Sequence, residues 1–149
     1  METKKFQPAF QMVANTIQKI VLQNTIINIS DTQDLHRNFS VETKDIIIEN
    51  HNEYKSAGLD IEVIAVVKEK KIENPKQFKI EIIVSGVFTD SVETSDEYFK
   101  NKLKINGTAA LYSIARGCIT NISSQSLAEG KIVLPLVNFM EVSEESENI

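Results

Sequence analysis

Few side chains in this sequence are of a type that does chemistry, and their spacing narrows them further. His36 and His51 are the only histidines in 149 residues. One lies in a polar stretch, the other near the end of an apolar run, and neither has a carboxylate at the spacing of an HExxH zinc site. Cys118 is the single cysteine, which excludes an intrachain disulfide and a cysteine-based metal site. It falls on an apolar stripe, so it reads as a core thiol rather than a nucleophile. Asp and Glu are scattered as surface charges, with no pair at catalytic separation. GxSxG, P-loop and GxGxxG patterns are missing, as is any set of nucleophile, base and orienting group. The expectation is therefore no catalytic residue, no metal and no cofactor. A small enzyme that hides its chemistry in the fold, such as a thioesterase, ranks last among the readings.

Charge and hydropathy exclude further classes. The net charge of −5 and the lack of a dense Lys/Arg run argue against nucleic acid as a partner. The Lys68, Lys70 and Lys71 cluster is interrupted by Glu69 and followed by Glu73, as on an exposed turn. No apolar run approaches the ~18 residues that span a bilayer, so membrane insertion is not expected. The opening METKKFQPAF has no apolar core of a signal peptide, and a cytoplasmic location is expected. The length fits one domain over residues 1–149 with a real core. Its last ten residues, 140–149, are acidic and read as a solvated, flexible tail.

The elements follow from apolar periodicity. Residues 13–22 predict a strand, extending through Ile26, Ile27 and Ile29. Residues 30–40 read as a long polar connection with Leu35 and Phe39 as isolated apolar anchors. A second strand is predicted at 44–54, centred on Ile46, Ile47 and Ile48. Residues 59–68 and 78–88 are the clearest strands, joined by an Asn74-Pro75 turn. A polar connector over 89–108 holds a short helical turn at 97–103 that ends near Asn106-Gly107. A helix over 109–124 and an extended run at 131–139 complete the chain. The fold class is α+β: a four-stranded antiparallel sheet, meander-like with a long first connection, packed with one long C-terminal helix.

That helix is unusually poor in charge. Leu111, Ile114, Ala115, Cys118 and Ile122 form one apolar stripe, flanked by Tyr112 and Ile119. Ser113, Gly117, Thr120, Asn121 and Ser124 make a small, uncharged opposite face. Arg116 is the only charge in sixteen positions, where the chain's 25% charged content would place roughly four on a solvated helix. Cover on more than one side is expected, with the second layer supplied by another copy of the protein and Gly117 permitting close approach. Ile64, Val66, Ile83 and Val87 on the second face of the two best strands point the same way.

Three stretches carry a family resemblance. Leu111-Tyr112-Ser113-Ile114-Ala115-Arg116-Gly117-Cys118-Ile119-Thr120 resembles the signature helix of the SecB family of protein-export chaperones, in which Tyr-Ala-Arg-Glu-Cys-Ile-Thr follows an apolar-aromatic pair. Ala115, Arg116, Cys118, Ile119 and Thr120 match it directly; Ile114 and Gly117 replace its Tyr and Glu. Leu134-Pro135-Leu136-Val137-Asn138-Phe139 is similar to the family's Leu-Ala-Pro-Val-Asn-Phe, and Gly86-Val87-Phe88 to its Gly-Ile-Phe. The three occur in the family's order and cover the C-terminal half. The N-terminal half agrees in strand pattern only.

The resemblance implies a dimer of dimers, hence a homotetramer, acting as an ATP-independent holdase. Such a protein keeps unfolded clients in apolar grooves until delivery to a partner such as the export motor ATPase. It places client binding at Ile26, Ile27, Leu35 and Phe39, with Val87 and Phe88, and motor docking at Glu81. Assembly falls to Tyr112, Arg116, Gly117 and Ile119 on the helix and to Ile82 and Val84 on the strand. Core packing is the alternative for each apolar position, and a solvated strand charge for Glu81. Two departures separate the chain from the family. Residues 140–149 are too short and acidic for its second amphipathic helix. Lys19 and Gln23 stand where the docking surface has acids. Some SecB-like proteins serve a single client such as an antitoxin, and a structural adaptor without client binding is a further reading.

Overall fold

The computed structural model describes residues 9–30, 33–71 and 73–140; the acidic tail expected at 140–149 lies, after its first residue, outside them. The elements are β1 (Gln11–Asn24), β2 (Leu35–Thr43), β3 (Ile47–Asn50), β4 (Tyr54–Glu69), β5 (Gln77–Ser91), α1 (Asp96–Lys102), a π turn (Leu103–Gly107) and α2 (Thr108–Ser126). The sheet is antiparallel with order β1-β5-β4-β2, and β3 also pairs with β4. It holds five strands but is four positions wide, because β2 and β3 share one edge position along β4. The fold is the expected α+β sheet with one long C-terminal helix.

The two central strands form as their alternation dictates. Leu59, Ile61, Val63, Ala65 and Val67 of β4 and Phe78, Ile80, Ile82, Val84 and Phe88 of β5 are buried on one face. Residues directly opposite share a face, and the β4–β5 register aligns these sets (Ile61 with Val84, Val63 with Ile82, Ala65 with Ile80). α2 covers this face with Leu111, Tyr112, Ala115, Ile119 and Ser123. Gly86 and Gly107 allow the close approach. A Cβ at Gly86 would lie 2.9 Å from Leu111 Cδ2, and one at Gly107 would lie 3.0 Å from Leu59 Cδ2.

The helical region is longer than expected. The sequence Asn106-Gly107 predicts a break, yet α1 runs through the π turn into α2 without leaving helical geometry. The Ser95 hydroxyl accepts from Tyr98 N at 3.2 Å and caps α1, with Asp96 and Glu97 in the first turn and Lys100 and Lys102 in the last. Two ion pairs, Lys55–Asp96 and Lys102–Asp90, fasten α1 to the end of the sheet. The Lys55 ammonium, hydrogen-bonded to Asp96, holds that carboxyl below its usual pKa.

β1 and β2 occupy opposite edges, so the chain crosses the end of the sheet between them. β1 stops at Asn24, and Ile26 and Ile29 turn inward to close the core below the C-terminus of α2. Ala128 N donates to Ile27 O at 2.9 Å and Ile29 N to Glu129 O at 3.0 Å, which holds this crossing to the end of the helix. The stretch expected as connection at 30–40 is instead largely β2, and the strand expected at 44–54 is reduced to β3. Leu35, Phe39 and Val41 do alternate, but β2 is a half-wet edge strand whose remaining positions are polar, which dilutes the pattern.

Candidate functional site

The helix that organises the sequence is covered by this chain more fully than its composition implied. After Leu127 the chain reverses at Gly130, whose φ of +91° belongs to the region glycine favours. It then returns along α2 as an extended strap. Arg116 Nε donates to Leu134 O at 2.6 Å, the Tyr112 hydroxyl donates to Pro135 O, and Ile132 N donates to Ser123 Oγ at 2.8 Å. Tyr112 and Phe139 meet edge to face, centroids 5.5 Å apart. Burial of Tyr112 pushes its phenol pKa up, against the opposing charge of Arg116. Two of the stretches that carry the family resemblance are therefore joined physically: the helix signature ties down the strap.

This corrects four of the interface assignments. Tyr112, Ile119, Ile82 and Val84 are all buried within the single chain, because the sheet and strap supply the second layer that a partner copy was expected to bring. Arg116 is half-buried under the strap. Gly117 alone of the six lies open, and a Cβ there would meet nothing within 4 Å.

The strap also builds a groove. Ile132, Val133, Leu134 and Pro135 form its wall, and Arg37, Asn38 and Phe39 of β2 with Ala65, Val66 and Val67 of β4 line the remainder, around a volume of about 240 Å³. Phe39 lies opposite Ala65 and Arg37 opposite Val67, so both side chains share the face that bears α2. Phe39 is 39% exposed. A smaller hollow of about 170 Å³ flanks the start of β2, lined by Ile26, Ile27, Asn28, Gln33, Leu35, Glu69 and Lys76. Both are smaller than the ~300–1,000 Å³ usual for small-molecule sites and suit side chains of a polypeptide better.

The expected client residues thus divide. Ile27, Leu35 and Phe39 border these two depressions along one sheet edge, with Ile27 64% exposed and Ile26 buried beneath it. Phe88 is corrected to the core. It is 1% exposed and stacks on Phe10 at 5.5 Å, because its strand position points under α2. Val87 is exposed but belongs to the opposite face, away from the groove. Glu81 also lies on that opposite face, paired to Lys79 Nζ at 3.5 Å, so its charge is partly offset. Arg37, Val133 and Pro135 were not anticipated; the extended run 131–139 was legible, but not the edge it would face.

A second apolar surface lies at the other edge. Met12, Ile17, Ile20 and Leu22 of β1 stand opposite Phe88, Val84, Ile82 and Ile80, on the α2 side of the sheet, yet all four are exposed. The half-buried Ile114, Cys118 and Ile122 lie on the flank of α2 away from the strap and so towards β1. Elsewhere, a shallow polar hollow of about 520 Å³ lies beside α1, lined by Ser95, Glu97, Tyr98, Lys100, Asn101 and Lys104. His51 Nε2 lies 2.8 Å from Ser56 Oγ, and the ring stacks on Tyr54. Among the described residues no three His, Cys, Asp or Glu side chains cluster as metal ligands, and no helix is long and apolar enough to cross a membrane.

No protein-family model and no curated protein matches the chain. Solved structures do, and one of them shows the chain to have the fold of a SecB-like chaperone. The Mycobacterium tuberculosis SecB-like chaperone Rv1957, solved in complex with a ChAD peptide from the Rv1956 HigA1 antitoxin, is similar at a TM-score of 0.61 and 11% identity, over 87% of this chain and 91% of that one. A Streptococcus agalactiae protein of unknown function is similar at a TM-score of 0.45 and 12% identity, over 85% and 96% of the two chains. The resemblance read from Ala115, Arg116, Cys118, Ile119 and Thr120 is matched at the level of the fold.

Proposed function

We propose that this protein is a holdase chaperone that binds extended, apolar segments of unfolded or partly folded polypeptides, without ATP and without catalysis. The observation that carries the reading is the strap-walled groove beside Phe39, an exposed apolar channel on a SecB-like fold. Unfolded chains present apolar side chains together with unpaired backbone, and a groove at a sheet edge receives both. The β1 surface with the α2 flank is assigned to a second copy of the chain, and the homotetramer implied by the family is the assembly we expect, acting in the cytoplasm.

A single-client role is favoured over general export by two observations. The SecB-like neighbour in M. tuberculosis holds a peptide from an antitoxin. On this chain, Glu81 is ion-paired to Lys79, and Lys19 and Gln23 lie on the same outer face, which weakens any acidic docking surface for a motor ATPase. Suppression of client aggregation in nucleotide-free buffer tests the reading. Suppression at near-stoichiometric ratios is expected. Failure at several-fold excess against both general unfolded clients and an antitoxin peptide would leave a structural adaptor instead.

A further inference from the structure

The groove does not end at its side chains, because one of its walls is an open strand edge. Lys44 N donates to Asp60 O at 2.9 Å, and the β2–β4 register continues this pairing through Thr43–Ile61 to Leu35–Glu69. The ladder bonds of an antiparallel pair fall on alternate residues, so β2 bonds to β4 through its even-numbered residues. The N–H and C=O groups of Leu35, Arg37, Phe39, Val41 and Thr43 therefore point away from β4. Among the described residues no backbone–backbone bond is made there. The same odd-numbered residues put their side chains on the groove face.

The two sheet edges differ in a way that assigns them. β1 carries register shifts between Met12 and Ala14 and between Ile17 and Lys19, and bulges of this kind interrupt an edge and discourage a further strand. β2 is regular over all nine residues, with neither shift nor proline. A long, regular, half-apolar edge is a liability in a protein that leaves it unused.

We propose that clients are captured by strand addition: an extended client segment pairs its backbone with the outer edge of β2. Its residues opposite Arg37, Phe39 and Val41 share their face and lie against Val133 and Pro135 of the strap. The segment recognised is one with uncharged apolar residues at i, i+2 and i+4 and polar residues between them. The backbone supplies sequence-tolerant affinity and the groove supplies the alternation requirement. This deepens the holdase reading and rests on it.

The test uses a labelled, capped nine-residue peptide that alternates leucine with serine, titrated by fluorescence anisotropy against the full chain. Two further versions carry N-methyl groups on the leucine amides or on the serine amides. In antiparallel addition, the leucines that fill the groove also direct their N–H groups at β2. Methylation of the leucines is expected to weaken binding at least tenfold and methylation of the serines less than twofold. A peptide of equal composition with its leucines blocked together should also bind at least tenfold more weakly. Equal effects of the two methylation patterns would overturn strand addition while leaving capture by side chains intact. Absence of binding by every peptide and by a reduced, unfolded protein would overturn the holdase reading with it. Hydrogen exchange gives an independent readout. Protection at Arg37, Phe39 and Val41 should appear on adding the peptide. Protection already present in the free protein and lost on dilution would assign the edge to a second copy and overturn the proposal.

Discussion

Phe39 and Phe88 have the same side chain and opposite tasks, and burial decides between them. Phe39 is 39% exposed beside the strap, whereas Phe88 is 1% exposed below α2. Phe39→Ala should weaken client binding about tenfold, near 1.4 kcal/mol, with little change in the melting temperature; anisotropy and a thermal melt of the same sample check both. Phe88→Ala should cost ~3–5 kcal/mol of folding stability, read by denaturant unfolding. Tyr112 gives a pH prediction. Its hydroxyl is bonded to Pro135 O and burial raises its pKa above the ordinary 10.0. The folded state therefore favours the neutral phenol. The stabilisation that follows is fully present below the unfolded value and is lost as pH rises through the raised folded one. Melting temperatures should fall steeply above about pH 10, and Tyr112→Phe should flatten that fall while costing about 1 kcal/mol at neutral pH.

At the scale of elements, the sequence was most informative where burial is regular. β4 and β5 alternate strictly, and α2 differs from the expected 109–124 helix by one residue at its start and two at its end. β2 was missed because a half-wet edge needs only Leu35, Phe39 and Val41 to be apolar, and a strand so weakly patterned resembles a connection. The strap was the costlier omission. Its extended character could be read from residues 131–139, but its hydrogen bonds to Tyr112, Arg116 and Ser123 depend on where the chain turns. Without it, a charge-poor helix called for a partner on faces that the chain itself covers. Gly130 sets that turn. A Cβ there would lie 1.8 Å from Ile29 O, and its positive φ alone costs a side chain ~1–2 kcal/mol. Gly130→Ala should destabilise the protein by at least that amount and increase hydrogen exchange across 131–139.

At the scale of the whole molecule, two apolar edges remain, and separate partners are proposed for them. The exposed Met12, Ile17, Ile20 and Leu22 with the flank of α2 form a surface suited to burial against another copy. Ile20→Asp should lower the native mass in light scattering while leaving the far-ultraviolet circular dichroism unchanged. An unaltered mass would return this surface to other uses. The two depressions along the β2 edge were legible in part: Phe39 of the groove and Ile27 and Leu35 of the smaller hollow were named from the resemblance. Arg37 follows from the β2 alternation that was not recognised, and Val133 and Pro135 join the groove only through tertiary contacts.

The most direct test of the central claim is native mass by light scattering, measured alone and with a reduced, unfolded polypeptide in buffer without nucleotide. The expected result is an oligomer that gains the mass of the polypeptide and loses that gain on Phe39→Asp. An oligomer or monomer that takes up no polypeptide at several-fold excess would contradict the claim.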